Sequence, residues 1–171
     1  MSYIDNIHIQ EETVDNWKTA LQYLIDGNRR YVNGWAVNRN INEQDRKIFS
    51  EGQFPFAAVV TCSDSRTTPE IYFDQSLGDI FVIRNAGNIT DTTVIGSLEY
   101  AVEYMNVPLV VVVGHSCCGA VTGAFYEGEF SGNLQCIISK IRRAIDGSSS
   151  IEDAIHANVE HVVGEIKSLV R

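Results

Sequence analysis

Two short segments carry the side chains best suited to chemistry, and each directly follows an apolar run. The first is Cys62–Arg66, with the sequence CSDSR, and the second is His115–Gly119, with the sequence HSCCG. Together they offer thiols and an imidazole, which suit zinc, and a carboxylate and a guanidinium, which can pair. Continuous β-branched runs predict strands buried on both faces of a parallel sheet. Side chains at the carboxyl ends of such strands converge at the edge where open α/β sheets place their sites.

Cys62, His115 and Cys118 are the predicted ligands of one zinc ion per chain. His115 and Cys118 are three residues apart at the expected opening of a helix, so we expect them to share a face. In an extended segment Cys62, Asp64 and Arg66 would point the same way. Three protein ligands leave one position of a tetrahedral shell open for water or substrate. Asp64 is placed either to bind the metal or to hold its water.

The same residues also have ordinary interpretations. Asp64 and Arg66 can form a solvated ion pair, and Cys117 and Cys136 are expected to pack as small hydrophobic residues. Other cysteine and glycine motifs do not fit. The chain lacks the Cys-to-Arg spacing of a Cys-based phosphatase, the Cys-x-x-Cys pair of a thioredoxin-like protein and the lysine of a P-loop. A metal centre is therefore the interpretation that the ligand types and their strand-end placement favour.

Alternating strands and helices must position these residues, which indicates an α/β fold with right-handed crossovers. We predict a single domain, with a mostly parallel central β-sheet flanked by helices and an N-terminal helical arm over residues 1–50. Thr13 or Asp15 is expected to cap the first helix, and Gly27-Asn28 to interrupt or end it. The predicted strands are 56–61, 79–84 and 109–114, and the predicted helices are 13–33, 93–105, 118–125, 133–145 and 151–170, with a loop and a short helix over 38–50.

Composition narrows the range of partners and compartments. The chain has 171 residues and a formal net charge of -9 without a basic cluster, so nucleic acid and anionic membranes are not expected partners. The N-terminus lacks the charged and apolar regions of a signal peptide, and no apolar run reaches membrane length. We therefore expect a cytoplasmic protein, in which cysteines beside a histidine indicate metal binding or catalysis rather than disulfides.

The chain resembles the β-class carbonic anhydrases from Gln53 to Ala124 almost without interruption. The resemblance is carried by four linked blocks in the family's order, with weaker similarity before and after them. These blocks are CSDSR with Pro69-Glu70, then GDIFVIRNAGN over 78–88, SLEYA over 97–101 and VGHSCCGA over 113–120.

This resemblance implies a zinc enzyme that reversibly hydrates carbon dioxide to bicarbonate by a metal-bound hydroxide, with Cys62, His115 and Cys118 as ligands. It further implies that Asp64 and Arg66 form a dyad that controls the fourth zinc position. The substrate pocket would be lined by Gln53, Phe81, Tyr100 and the backbone of Gly119, partly across a subunit interface. A homodimer or higher homo-oligomer is therefore expected. Some members are inhibited by bicarbonate through a tryptophan, but that position is Val59 here.

Two alternatives keep the same metal site. The chain can be a carbonyl sulfide or carbon disulfide hydrolase, because those linear molecules suit the same nucleophile, or a zinc-binding interaction protein with weakened catalysis. Retention of Gln53, Asp64 and Arg66 argues against the interaction protein. The family usually continues past its last helix into one more strand, which we expect to be absent from the 54–171 core of this chain, leaving a sheet edge open for a partner.

Overall fold

A computed structural model describes residues 14–37, 41–126 and 128–170 of the chain. These residues divide into two compact units, which are described separately. Unit 1 comprises the described residues up to Val59 together with Thr68–Val82 and Tyr100–Val111. Unit 2 comprises Val60–Thr67, Ile83–Glu99 and the described residues from Val112 onward. The predicted single domain and its boundaries at 50 and 54 stay predictions.

Seven α-helices and three strands lie in the described residues. The strands form a parallel sheet in the order β2-β1-β3, which confirms the predicted α/β class. The elements are α1 (Trp17–Val32), α2 (Glu43–Glu51), β1 (Ala57–Cys62), α3 (Pro69–Tyr72), β2 (Ile80–Asn85), α4 (Thr92–Glu99), β3 (Val110–Val113), α5 (Gly119–Phe125), α6 (Gly132–Ala144) and α7 (Ile151–Leu169). None of the described helices combines the length and the apolar character that a membrane span needs.

Only the central strand is buried on both faces. Every residue of β1 is buried, whereas all of β3 and most of β2 are half-buried. The expectation that the runs before Cys62 and His115 are both buried on both faces therefore holds for β1 and is wrong for β3. The reason is the position of β3, because within the described residues it has a hydrogen-bonded strand on one side only.

In unit 1, helix α1 begins one turn later than expected. Asn16 is its N-cap, and the Asn16 side chain accepts hydrogen bonds from the backbone N–H groups of Lys18 and Thr19. Asp15, one of the two expected caps, is therefore not the cap, and Thr13 lies outside the described residues. Leu24 and Ala20 of α1 pack with Phe56 and Ala57 in the core of this unit.

Gly27 does not interrupt α1, contrary to the prediction. It is buried in the helix, where a Cβ atom would lie 1.7 Å from the carbonyl oxygen of Phe73. Asn28 donates to the carbonyl of Tyr72 at 2.9 Å, and Arg30, two residues further along, pairs with Asp74. Glycine is present here because helix and loop backbones touch, and tertiary contacts keep the helix continuous despite glycine's low helix propensity.

Gly27→Ala is therefore expected to destabilise the protein by at least about 2 kcal/mol, since the added methyl group has to displace backbone atoms. Gly164→Ala is the matched control, because Gly164 is also helical and has no atom within 4 Å of its Cβ position. That substitution should stabilise the protein by roughly 0.5–1 kcal/mol. Urea denaturation of both variants checks the pair, and equal stabilities would contradict the close contact.

The predicted helix 93–105 is also altered. Helix α4 ends at Glu99, and Tyr100–Tyr104 form a π-helical turn, in which the Met105 N–H donates to the Tyr100 carbonyl five residues earlier. This turn stacks the rings of Tyr100 and Tyr104 with their centroids 5.8 Å apart. Asn106 then adopts a left-handed conformation at φ +55° and ends the segment. Hydrophobic periodicity alone does not reveal such a change of pitch.

In unit 2, the helices after β3 enclose a core that includes two of the predicted ligands. Cys62 and Cys118 are buried in one cluster with residues of α5, α6 and α7, among them Val121, Ile138, Ile141 and Ala154. Helices α6 and α7 match their predicted ranges to within one residue. Two of the three predicted ligands are thus held within the hydrophobic core of this unit.

Candidate metal centre

Three predicted ligands from separate segments of the chain meet in unit 2. Cys62 is the last residue of β1, His115 lies two residues after β3, and Cys118 directly precedes α5. The sulfur atoms of Cys62 and Cys118 are 4.0 Å apart. The ligand atoms of all three residues lie within 4.8 Å of one another. This is the convergence that the strand-end positions predicted.

The segment between His115 and Cys118 is a turn, not the first turn of a helix. Helix α5 begins at Gly119, so the expectation that these two ligands share a helical face is wrong. Cys117 adopts a left-handed conformation at φ +56°, which is rare for a residue other than glycine. This conformation reverses the chain, so that Cys118 is buried while Cys117 is exposed. Cys136 is exposed as well, and the prediction that Cys117 and Cys136 are packing residues is wrong.

The imidazole of His115 is oriented as a ligand. Its Nδ1 atom lies 3.0 Å from the carbonyl oxygen of Ser116, a contact that is a hydrogen bond only when Nδ1 carries the proton. Nε2 is then the basic nitrogen, and this atom is buried without a hydrogen-bond partner. A buried polar atom without a partner is costly, and a metal ion would satisfy it.

The two buried thiols lie within hydrogen-bond distance of each other. The contact with Cys118 lowers the pKa of Cys62, helped by the N–H of Gly87 and opposed by burial. The same contact, together with burial, raises the pKa of Cys118. Two adjacent sulfurs whose pKa values shift in opposite directions make a site where a soft cation can take the place of a proton. Two sulfurs that bind zinc tetrahedrally at about 2.3 Å are about 3.8 Å apart, close to the observed 4.0 Å.

Asp64 and Arg66 form a two-point ion pair beside the ligands. The Arg66 Nε and Nη2 atoms donate to the two carboxylate oxygens of Asp64 at 2.9 and 2.7 Å. The backbone N–H of Arg66 also donates to Asp64 Oδ1, so the pair spans a turn and not the extended strand that we expected. These bonds hold the pKa of the Asp64 carboxyl well below its usual range. Arg66 additionally donates to the Cys117 carbonyl at 3.2 Å.

Arg84, near the end of β2, was not among the predicted site residues. Its guanidinium donates to the carbonyl oxygens of Cys62 and Asp64 at 3.1 and 2.8 Å, and so fixes the backbone that carries the first ligand and the carboxylate. A charged residue at the carboxyl end of an otherwise apolar strand is the signal that could have identified it. Gly87, whose N–H donates to the sulfur of Cys62 at 3.4 Å, was likewise not predicted.

The predicted substrate-binding residues are divided between the two units. In unit 1, Gln53 is exposed, and the rings of Phe81 and Tyr100 lie 6.3 Å apart. In unit 2, Gly119 is the first residue of α5. Their roles in a substrate pocket stay predictions.

The comparisons with known proteins agree on one family. Residues 57–170 match the family model described as carbonic anhydrase. A carbonic anhydrase of Mycolicibacterium smegmatis is 39% identical over 157 residues, which cover 86% of this chain and 76% of that protein. Carbonic anhydrase 2 of Mycobacterium tuberculosis is 37% identical over 153 residues, covering 84% and 74%. The solved structure of the β-carbonic anhydrase CcaA aligns with a TM-score of 0.63 at 27% identity, covering 88% of this chain and 74% of that chain.

Proposed function

Because the chain belongs to the β-class carbonic anhydrase family, we propose that it catalyses the reversible hydration of carbon dioxide to bicarbonate. The observation that carries the proposal is the meeting of Cys62, His115 and Cys118 beside a paired Asp64 and Arg66. A structural zinc site does not need such a pair. A site with three protein ligands and a neighbouring carboxylate fits catalysis.

The donor set fits zinc. Two cysteine sulfurs and one imidazole nitrogen are ligands that zinc accepts, their spacing suits a tetrahedral shell, and a cation there would satisfy the buried Nε2 of His115, which has no hydrogen-bond partner. We propose one zinc ion per chain. When bound, zinc supplies Lewis acidity that lowers the pKa of a water molecule to about 7, and so provides a nucleophile at neutral pH.

The protein side of the mechanism rests on Asp64. Its carboxylate stays ionised at neutral pH because Arg66 lowers its pKa, so it is a permanent hydrogen-bond acceptor. We propose that it accepts a hydrogen bond from the attacking oxygen's O–H group and orients a lone pair toward carbon dioxide. Arg66, itself held by the Cys117 carbonyl, keeps the carboxylate from turning toward the metal. Opening of this pair would let Asp64 take the fourth zinc position and close the site.

Substrate binding is proposed for the residues named from the resemblance. The amide of Gln53 can hydrogen-bond a bicarbonate oxygen, and the N–H of Gly119 can contribute a second bond. Phe81 and Tyr100 would supply the apolar wall that a small unpolarised molecule requires. The aromatic contact between these two rings supports their joint role.

The proposal is tested by assaying one zinc-quantified preparation with carbon dioxide, carbonyl sulfide and carbon disulfide. We expect fast carbon dioxide hydration and little release of hydrogen sulfide. Preference for carbonyl sulfide or carbon disulfide would indicate a hydrolase that uses the same site. Full zinc loading without turnover of any of the three would indicate a zinc-binding interaction protein. Cys118→Ser protein is the control for uncatalysed and buffer-metal reactions.

We also propose a homodimer or larger homo-oligomer in the cytoplasm. Large apolar side chains of unit 1, including Trp17, Trp35 and Phe54, are exposed, and such groups commonly mark subunit interfaces. All four cysteines are free, as is usual in a reducing compartment. Sedimentation velocity of the purified protein should give a mass at least twice that of the 19.0 kDa chain.

A further inference from the structure

A polar side chain lies on the buried face of α7. The buried residues of this helix are spaced four apart, namely Ala154, Asn158, Val162 and Ile166, and Asn158 is only 1% exposed. An amide in an apolar environment is unfavourable unless its hydrogen bonds are made. The hydrogen-bond partner of the Asn158 side chain should therefore explain why an asparagine occupies this buried position.

Asn158 binds the backbone beside the first ligand. Its Nδ2 atom donates to the Gly87 carbonyl at 2.9 Å, in a bond that is buried at both ends. The N–H of Gly87 in turn donates to the sulfur of Cys62 at 3.4 Å. Helix α7 is thus connected through one glycine to a metal ligand that lies on a different segment of the chain.

Gly87 needs such an external support. It adopts φ +76°, and a Cβ atom would lie 2.6 Å from Ile141 Cδ1, so the position excludes a side chain. Without a side chain, its backbone dihedral angles are less restricted than those of other residues, so contacts to its N–H and its carbonyl help to fix its conformation. The Gly87 N–H is directed at the Cys62 sulfur, and the Gly87 carbonyl is held by Asn158. Removing the hydrogen bond from Asn158 is therefore expected to weaken the hydrogen bond to the sulfur.

A second contact of α7 reaches the backbone next to another ligand. Gly114 directly precedes His115, and a Cβ atom there would lie 2.7 Å from Val159 Cγ2 and 3.3 Å from Ile155 Cγ2. Ile155 and Val159 flank Asn158 in the helix. One short stretch of α7 therefore braces the chain at both Cys62 and His115.

We propose that Asn158 is a positioning residue of the metal centre, which holds the Gly87 N–H on the Cys62 sulfur through the Gly87 carbonyl. The inference rests on the proposed zinc site. An N–H group directed at a thiolate withdraws some of the negative charge that the sulfur gives to the metal, and two thiolate ligands give a large amount. By holding the Gly87 N–H on the sulfur, Asn158 would make a bound zinc ion a stronger Lewis acid than it would be with two thiolates that accept no hydrogen bond.

The test is Asn158→Leu, which removes the donor at similar side-chain volume. Val162→Ala is the matched control, because Val162 is equally buried one turn further along α7 and its side chain has no hydrogen-bond donor. Zinc affinity is measured by chelator competition, and the sulfur-to-metal charge-transfer band is measured after cobalt(II) substitution. We expect Asn158→Leu to bind zinc about tenfold more weakly and to shift the cobalt band. Val162→Ala should lose stability while keeping both metal readouts.

Unchanged zinc affinity and cobalt spectrum in folded Asn158→Leu would overturn the proposal, as would equal changes in Val162→Ala. If Asn158→Leu does not fold, nuclear magnetic resonance of the wild-type protein loaded with cadmium-113 decides. A through-bond coupling between the metal and the Gly87 amide supports the proposal, and its absence contradicts it. These readouts need no substrate, so wild-type protein that binds metal but hydrates no carbon dioxide refutes the proposed reaction and leaves this inference standing.

Discussion

Cys118→Ser protein is expected to purify with almost no zinc, whereas one ion per chain is expected in the wild-type protein. Zinc requires a deprotonated ligand, and a serine hydroxyl in a buried position keeps its proton at neutral pH. Loss of a residue that only supports a ligand typically costs 10–100-fold in metal affinity, so loss of a direct ligand should exceed about a hundredfold. Elemental analysis of dialysed protein measures the effect, and carbon dioxide hydration should disappear with the metal.

The controls are Cys117→Ser and Cys136→Ser, which change exposed thiols and should leave zinc content intact. Serine tolerates the left-handed backbone at position 117 about as well as cysteine does, so the comparison isolates the sulfur. Loss of zinc from the Cys117 variant would mean that the ligand set is misassigned. Circular dichroism of all three variants separates loss of metal from loss of fold.

Asp64→Asn protein is expected to keep its zinc but to hydrate carbon dioxide about two to four orders of magnitude more slowly. The amide is nearly isosteric with the carboxylate, but it offers one acceptor where Asp64 offers two, and it carries no charge to hold Arg66. Stopped-flow hydration rates normalised to zinc content measure the effect. Ser65→Ala is the neighbouring control and should retain near-normal rates. An Asp64→Asn enzyme of wild-type activity would eliminate the proposed role.

The direction of the Asp64 pKa shift sets the pH range over which the ion pair between Asp64 and Arg66 stays intact. Pairing with Arg66 lowers the carboxyl pKa below its usual value of about 3.9, so the stability it contributes is present above that value. It is lost only as the pH falls through the lower folded-state value. Between pH 5 and 9 the pair stays charged on both sides. Rate changes in that range should therefore persist in Asp64→Asn protein.

The strands and the ligands could be predicted from the sequence because both depend on local patterns. The apolar runs predicted β1, β2 and β3. The positions of Cys62, His115 and Cys118 after two of these runs predicted that the three side chains lie close together. The details that failed depend on contacts between distant segments or on single backbone angles. Gly27 stays helical because Phe73 lies against it, and Cys117 turns the chain through a left-handed angle that no residue pattern marks.

The supporting residues were missed for a similar reason. Arg84 and Asn158 act on the site through backbone carbonyls of other segments, and a carbonyl has no signature in the sequence. A polar residue on an apolar helix face or a charge at a strand end is a usable signal. Such a residue indicates that its side chain has a hydrogen-bond partner, but only the fold shows which group that partner is.

The distance along the chain between the parts of the metal centre sets the order in which it can be made. Cys62 and Cys118 are 56 residues apart, and Gly87 and Asn158 are 71 apart. At about 5–20 residues per second, a ribosome needs roughly 3–11 s to follow the first cysteine with the second, and roughly 4–14 s to follow Gly87 with Asn158. For several seconds a nascent chain therefore carries the Cys62 thiol without Cys118, and during this time the thiol can be oxidised or can bind metals other than zinc. The full affinity of the proposed zinc site is reached only once the segment through Asn158 has been synthesised and has folded against Gly87.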